Sequence, residues 1–397
     1  MLVAAIEMQA VAVGWQIYEI TKRPLDLGLV GLAQFLPAIL LFPVSGHASD
    51  RFDRRKVLSV CYAGFAVCFA ILLVLSRRAV HTVLPIYVVL VILGVVRSFN
   101  GTASRSILPL LVPEEHFPNA VAWNATTFQA ATILGPSFGG ILYAAFHGPS
   151  AVYLSATVVA VGGLISTFKI KTEGKARPRE PMTFKTAFAG LHFIWRQKLI
   201  LGAISLDLFA VLLGGAVALL PVYAKEILLT GPWGLGLLRS APGVGAAIMA
   251  VIVAHRPIRG KSGIVLMWSV ASFGVCTIIF GLSRSLVLSL VALFLLGASD
   301  MISVIIRATL TQLRTPDEMR GRVTAVDMIF IGTSNEFGQF ESGVTAQWFG
   351  TVPAVVLGGI GTLLVIGIWA FLFPELRRAG ELTAGPEAAE EEDLERV

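Results

Sequence analysis

The chain has 397 residues, of which 55% are hydrophobic and only 14% are charged. A soluble domain carries roughly 25% charged residues, so this composition excludes an ordinary soluble protein. The net charge of +6 comes from basic residues spread among polar loops, which excludes a nucleic-acid-binding surface.

About twelve apolar stretches follow one another along the chain, and a helix needs about 20 such residues to cross a bilayer. They predict helices near residues 2–20, 28–47, 57–76, 84–107, 119–145, 150–168, 199–223, 232–254, 263–282, 286–309, 323–348 and 352–373. We therefore expect an all-α membrane protein with twelve transmembrane helices. The sequence begins inside the first helix, so we expect a natural start further upstream.

One long polar connection divides the chain. Its second part, 183–197, has apolar residues at helical spacing and predicts an amphipathic helix on the inner membrane surface. The predicted organisation is a six-helix bundle over 1–168, a cytoplasmic linker over 169–198, a second six-helix bundle over 199–374 and an acidic tail over 375–397.

The two halves share residues at an offset of 203 positions. Two parallel six-helix repeats imply a pseudo-twofold axis along the membrane normal, with a substrate site between the halves near the midplane. The matching elements are Leu93-Gly94 with Leu296-Gly297, Pro113-Glu114-Glu115 with Pro316-Asp317-Glu318, and Gly135 and Gly140 with Gly338 and Gly343.

Loop charge predicts the orientation. One set of loops, with the tail, holds 22 Lys and Arg residues, and the opposite set holds six. Because basic loops stay in the cytoplasm, both termini are expected inside.

The loop between the second and third predicted helices resembles the signature of the major facilitator superfamily, G-x-x-x-D-R/K-x-G-R/K-R/K. It matches at Gly46, Asp50, Arg51, Arg54 and Arg55. It departs at Asp53, where the family usually has Gly. The resemblance implies a two-bundle fold and a charged gate that holds the cytoplasmic side shut.

In the fifth predicted helix, Gly135-Pro136-Ser137-Phe138-Gly139-Gly140 combines a helix-breaking proline with three glycines. From physics alone this segment is a kinked, closely packed helix. It also resembles the G-P-x-x-G-G motif of exporters in the superfamily, at Gly135, Pro136, Gly139 and Gly140.

The eleventh predicted helix, with Ser334-Asn335-Glu336-Phe337, resembles the enterobactin-exporter-like branch, also called transmembrane secretion effectors.

Ionisable residues deep in apolar spans need partners or water, so each is a candidate for substrate binding or proton coupling. The candidates are Glu7, Arg97, Asp207, Asp300, Glu336 and Glu341.

Three alternatives stay open for these residues. Arg97 begins a segment similar to the fourth-helix R-x-x-x-G element of the family, which is linked there to proton coupling, and its repeat counterpart is Asp300. A fixed ion pair between helices is the alternative for both. Glu7 and Asp207 occupy nearly equivalent places in the repeats and can bind a cation or a proton, although Glu7 can instead lie at headgroup level. For Glu336 the alternative is a buried hydrogen bond to a neighbouring helix.

Other chemistry is absent from the sequence. It has no G-x-x-x-x-G-K-S/T phosphate loop, no H-E-x-x-H and no Cys/His cluster, so we expect no cofactor, no metal site and no direct use of ATP. The three cysteines lie in apolar segments and are expected to be packing residues.

The sequence thus predicts a secondary transporter in the bacterial inner membrane. We expect a monomer that exports a hydrophobic or amphipathic small molecule, such as a siderophore or drug, by proton antiport and alternating access. One alternative is a lysophospholipid or lipid flippase of the same fold, and a more remote one is a membrane-embedded enzyme or sensor.

Overall fold

The computed structural model describes residues 1–41, 44–45, 52–78, 82–108, 111–170, 184–256, 258 and 261–380. This part of the chain is almost entirely helical and contains no strand. In chain order its main helices are α1 (Leu2–Thr21), α2 (Pro24–Leu40), α3 (Arg54–Arg77), α4 (Leu84–Ile107), α5 (Phe117–Ala145), α6 (Ser150–Lys169), α7 (Phe184–Arg196), α8 (Lys198–Gly214), α9 (Gly231–His255), α10 (Ser262–Leu282), α11 (Leu286–Leu313), α12 (Asp317–Phe349), α13 (Thr351–Leu372) and α14 (Pro374–Arg378).

The helices confirm the predicted all-α membrane class. Within the described residues, eight helical segments are long and apolar enough to cross a membrane, one of them the interrupted segment Lys198–Ile227, and Pro24–Leu40 is apolar but shorter. Large apolar side chains project outward from several of them: Val60, Leu84, Trp268 and Phe371 are 71–85% exposed. Such surfaces are unfavourable in water but match the hydrocarbon core of a bilayer.

The seventh predicted helix, 199–223, is broken in the structure. The α-helix α8 ends at Gly214, and the chain continues through a 3-10 turn at Ala216–Leu219, a short turn at Leu220–Val222 and a π turn at Tyr223–Ile227. A Gly-Gly pair lowers helix stability, and Ser342 donates a 2.9 Å hydrogen bond to the freed carbonyl of Gly215.

The described chain forms two compact units. The first contains Met1–Thr183 and Val217–Ser240, and the second contains Phe184–Ala216 and Ala241–Val397. The segment after the break in α8, up to the first half of α9, therefore packs with the N-terminal helices. We call these the N-unit and the C-unit.

Each unit has its own core. In the N-unit the largest fully buried side chains include Tyr153, Phe65 and Phe69, and the Tyr153 hydroxyl donates a 2.7 Å hydrogen bond to Gln16. In the C-unit an apolar cluster joins α8, α10, α11 and α13 around Leu206 and Leu266. A helix, α7, lies within the predicted linker segment, and Ile194 packs it against α8 and α12. Its place on the inner membrane surface stays a prediction.

Candidate functional site

The C-unit contains a cluster of four ionisable residues, which we call the aspartate–arginine cluster: Asp207 and Arg307 are buried, and Asp300 and Asp327 are half-buried. One terminal nitrogen of Arg307 lies 2.8 Å from the Asp207 carboxylate and 3.4 Å from that of Asp327. The side chains of Arg307, Asp207 and Asp327 are 4%, 8% and 19% exposed. A single guanidinium is thus shared by two carboxylates in a nearly dry environment.

Helical spacing explains why these groups meet. Asp300 and Arg307 are two turns apart on one face of α11, and Asp207 lies on the face of α8 that packs against α11 and α12. Asp300 lies close enough for its charge to interact with those of Asp207 and Arg307. Within the described residues Asp300 has no ion-pair partner of its own.

A second, looser ion pair lies in the N-unit. The Glu7 carboxylate on α1 is 3.8 Å from the Arg239 guanidinium on α9, and both side chains are about one quarter exposed. This distance is at the limit of a salt bridge. The pair therefore constrains α1 and α9 weakly and leaves both groups able to exchange partners.

The fifth-helix glycines bring three helices of the N-unit into close contact. A Cβ at Gly139 would lie 2.9 Å from the Met8 Cα on α1, and one at Gly140 would lie 2.9 Å from the Gly236 Cα on α9. Ser137 and Ser240 also share a 2.8 Å hydrogen bond between α5 and α9. We call this contact the glycine junction.

A polar cluster links α1 and α5 to the π turn. Glu19 accepts hydrogen bonds from Lys225 at 3.0 Å and from Tyr143 at 2.9 Å. Tyr18 donates a short hydrogen bond to Glu226, and the Lys225 ammonium lies 5.0 Å from the centre of the Trp15 ring. Because loop charge predicts that this end of α1 faces away from the cytoplasm, we call these residues the outer polar cluster.

Lys225→Met should loosen the outer polar cluster. A partly exposed salt bridge contributes about 0.2–1 kcal/mol and a cation–π contact about 0.5–1 kcal/mol. We therefore expect a several-fold rise in the labelling rate of Ala224→Cys by a water-soluble maleimide, in a background without the native cysteines. Arg284→Met, an exposed outer-loop change, is the matched control; an unchanged rate in Lys225→Met would show that the contact restrains nothing.

The chain is similar to known transporters over most of its length. The model of the Major Facilitator Superfamily matches residues 1–338. The chain belongs to the major facilitator superfamily. It is 27% identical over 370 residues to the uncharacterized MFS-type transporter YfiS of Bacillus subtilis (strain 168), covering 88% of this chain and 85% of that one. It is 25% identical over 385 residues to the Enterobactin exporter EntS of Escherichia coli O139:H28, covering 95% and 90%.

Solved superfamily structures share the fold. The inward-open xylose transporter XylE from E. coli matches with a TM-score of 0.71 at 13% identity, over 98% of this chain and 97% of that one. A mutant of the nucleoside transporter NupG also matches at 0.71, with 11% identity, over 94% and 98%. The predicted superfamily, its enterobactin-exporter-like resemblance and its fold class are therefore confirmed.

The superfamily signature loop is only partly described. Gly46, Asp50 and Arg51 lie outside the described residues. Arg55 donates from Nε to the Thr167 carbonyl at 2.9 Å and from its terminal nitrogen to the Phe168 carbonyl. These carbonyls end α6, where a positive charge is favoured by the helix dipole. Arg54 has a buried Nε without a partner in the part of the chain that the structure describes.

Three further sequence candidates lie on α4 and α12. Arg97 on α4 is exposed. Glu336 accepts a 3.3 Å hydrogen bond from Gln339, and Glu341 accepts one of 2.6 Å from Thr345, each within α12. Their roles in transport stay predictions.

The candidates selected from the sequence did not include Asp327, Arg239 or Arg307. Asp327 follows Arg320, Arg322 and Thr324 at the start of α12, so it did not stand out as a charge in an apolar run. The Tyr18–Glu226 and Glu19–Lys225 contacts join residues more than 200 positions apart. A repeat offset alone does not predict such pairings.

Proposed function

We propose that this protein exports a hydrophobic or amphipathic small molecule, of the siderophore or drug class, from a bacterial cytoplasm in exchange for protons. It would work as a monomer in the inner membrane, with both termini in the cytoplasm. The observation that carries the proposal is the 25% identity to the Enterobactin exporter EntS over 95% of this chain.

The glycine junction supports export as the direction of transport. The glycine junction is formed by the segment that resembles the exporter motif of the superfamily. Its glycines allow the backbone of α5 to contact the backbones of α1 and α9. In alternating access such a contact closes one side of the pathway and parts in the other state. The outer polar cluster, which joins the same helices, would open and close with it.

Proton coupling needs groups that can gain and lose a proton during the cycle. The buried aspartate–arginine cluster and the loose Glu7–Arg239 pair both supply carboxylates in apolar spans. Ionisable groups in apolar spans are expensive, and they commonly mark a pathway for ions or substrate.

Everted membrane vesicles test the proposal. The vesicle interior corresponds to the periplasm, so an acid interior should drive accumulation of added enterobactin, and collapse of the pH gradient should release it. Vesicles without the protein are the control. No gradient-dependent accumulation would contradict siderophore antiport, and accumulation of a lysophospholipid probe instead would favour the flippase.

A further inference from the structure

We propose that Asp300 carries the coupling proton, and that the proton exchanges with the cytoplasm along a row of buried polar groups on α11 and just after its end. This proposal rests on the proton antiport proposed above. It assigns the proton to one carboxyl group and gives that group a route, neither of which follows from membership of the superfamily.

The first step is the charge balance of the aspartate–arginine cluster. The cluster has three carboxyl groups and one guanidinium, and Arg307 contacts two of the three, Asp207 at 2.8 Å and Asp327 at 3.4 Å. A buried charge without a partner costs several kcal/mol, and a carboxylate in that position takes up a proton instead. Of the three carboxyl groups in the cluster, that of Asp300 has no cation at contact distance among the described residues.

Two helices packed against α11, α10 and the second half of α9, supply no Lys or Arg. The whole of α10 lacks acidic and basic side chains, and the 241–255 part of α9 has only His255, at its end. The groups that face Asp300 are Asp207 from α8 and Arg307 from its own helix, with Asp327 from α12 behind Arg307. Within the described chain no group of three His, Cys, Asp or Glu is arranged to hold a metal ion. A proton therefore fits the cluster better than a divalent cation.

The second step is a set of polar atoms without hydrogen-bond partners that begins at Arg307 and continues beyond the cluster. The Nε of Arg307 and the hydroxyls of Thr311 and Thr315 are buried and have no hydrogen-bond partner within the described residues. Thr311 is one turn beyond Arg307 on the same face of α11, and Thr315 follows the end of that helix. Native proteins satisfy such atoms with ordered water when the site is polar.

The row therefore begins at Asp300 and ends at Thr315, with Ser303, Arg307 and Thr311 between them. Ser303 lies beside Asp207. Loop charge places this end of α11 in the cytoplasm. In the cycle, the Asp300 carboxyl releases its proton to water in the row, and the resulting carboxylate is stabilised by Arg307. Asp300 is then reprotonated from the opposite side, so one proton enters for each one released.

An infrared pH titration tests the assignment without any substrate. The purified protein in lipid should show the carboxyl band of a protonated aspartic acid that disappears as the pH rises. Asp300→Asn should lose this band. Asp317→Asn should keep it, because the Asp317 side chain is 84% exposed and pairs with Arg320 at 2.7 Å. A band that persists unchanged in Asp300→Asn would overturn the assignment.

Vesicle transport then tests coupling. Asp300→Asn should lose at least tenfold in gradient-driven enterobactin accumulation but retain exchange of labelled for unlabelled enterobactin, which needs no net proton movement. Loss of both activities would mean that Asp300 binds substrate or holds the fold, and would contradict a purely proton-carrying role. Accumulation driven by a sodium gradient, with no pH dependence, would also overturn the proposal.

The route has its own matched pair of variants. Thr311→Val should slow gradient-driven accumulation several-fold and leave exchange unchanged. Thr309→Val should change neither, because the Thr309 hydroxyl is already bound to the Ile305 carbonyl at 2.8 Å. Equal accumulation and equal exchange in the two variants would show that the row does not conduct the proton. If the wild type shows no gradient-driven accumulation, the proposed antiport fails, whereas the infrared result still decides whether Asp300 holds a proton.

Discussion

Arg307→Leu is expected to destabilise the C-unit by about 3–5 kcal/mol, because it removes the cation from a buried ion pair and leaves the carboxylates uncompensated. The guanidinium is 4% exposed and lies between Asp207 and Asp327. Chemical or thermal unfolding of the purified protein in detergent measures the loss. We expect most of the variant to be recovered unfolded or aggregated.

Arg320→Leu is the matched control, because Arg320 also pairs with an aspartate but is 52% exposed. An exposed pair contributes about 0–1 kcal/mol, so this variant should unfold nearly as the wild type does. Equal stability of the two variants would contradict the dry environment assigned to the cluster.

A rescue separates stability from coupling. Adding Asp207→Asn and Asp327→Asn to Arg307→Leu removes the unpaired charges, and neutral replacement of a buried ion pair is often tolerated. We expect the triple variant to recover most of the lost stability but no gradient-driven export. Recovered export would show that the cluster is only structural.

The sequence predicted the helices well because a membrane span needs a long apolar run, and such runs are visible without any tertiary information. The repeat stays a prediction, and the contacts of four glycines support it. Gly135 packs against α1 and its counterpart Gly338 packs against α8, which is the equivalent helix of the second half. Gly94 likewise packs against Gln34 on α2, and Gly297 against Pro242 on α9.

The pairing of charges was not predictable in the same way. The repeat offset relates Asp300 to Arg97, whereas within the C-unit the charges that act on Asp300 are those of Asp207 and Arg307. Those contacts depend on how α8 and α11 are rotated about their axes. A helix that is apolar on every side has no distinct hydrophobic face, so its sequence predicts this rotation only coarsely. The break after α8 was also not predicted. The hydropathy of the whole 199–223 segment indicated one continuous helix and outweighed the local Gly214-Gly215 pair.

Gly140→Ala is expected to separate α5 from α9 and to cut export sharply. A Cβ there would lie 2.5 Å from the Pro232 carbonyl oxygen and 2.9 Å from the Gly236 Cα. Both are backbone atoms, so no side chain can move aside. Overpacking of this kind costs about 1–3 kcal/mol, which corresponds to roughly a 5- to 150-fold shift away from the packed arrangement.

Gly162→Ala is the matched control, because a Cβ at Gly162 on α6 would meet nothing within 4 Å. Enterobactin accumulation in everted vesicles measures export, and maleimide labelling of Ala224→Cys measures opening of the outer polar cluster. We expect Gly140→Ala to raise labelling and lower export together.

Gly236→Ala faces the same contact from α9, with its Cβ 2.6 Å from the Pro136 carbonyl oxygen. Because the first substitution already parts the helices, the double variant should add little to either single one. Fully additive effects would show that the two glycines act at separate places. Normal export by both single variants would mean that the glycine junction need not close for transport, and that the resemblance of this segment to the exporter motif does not extend to its role.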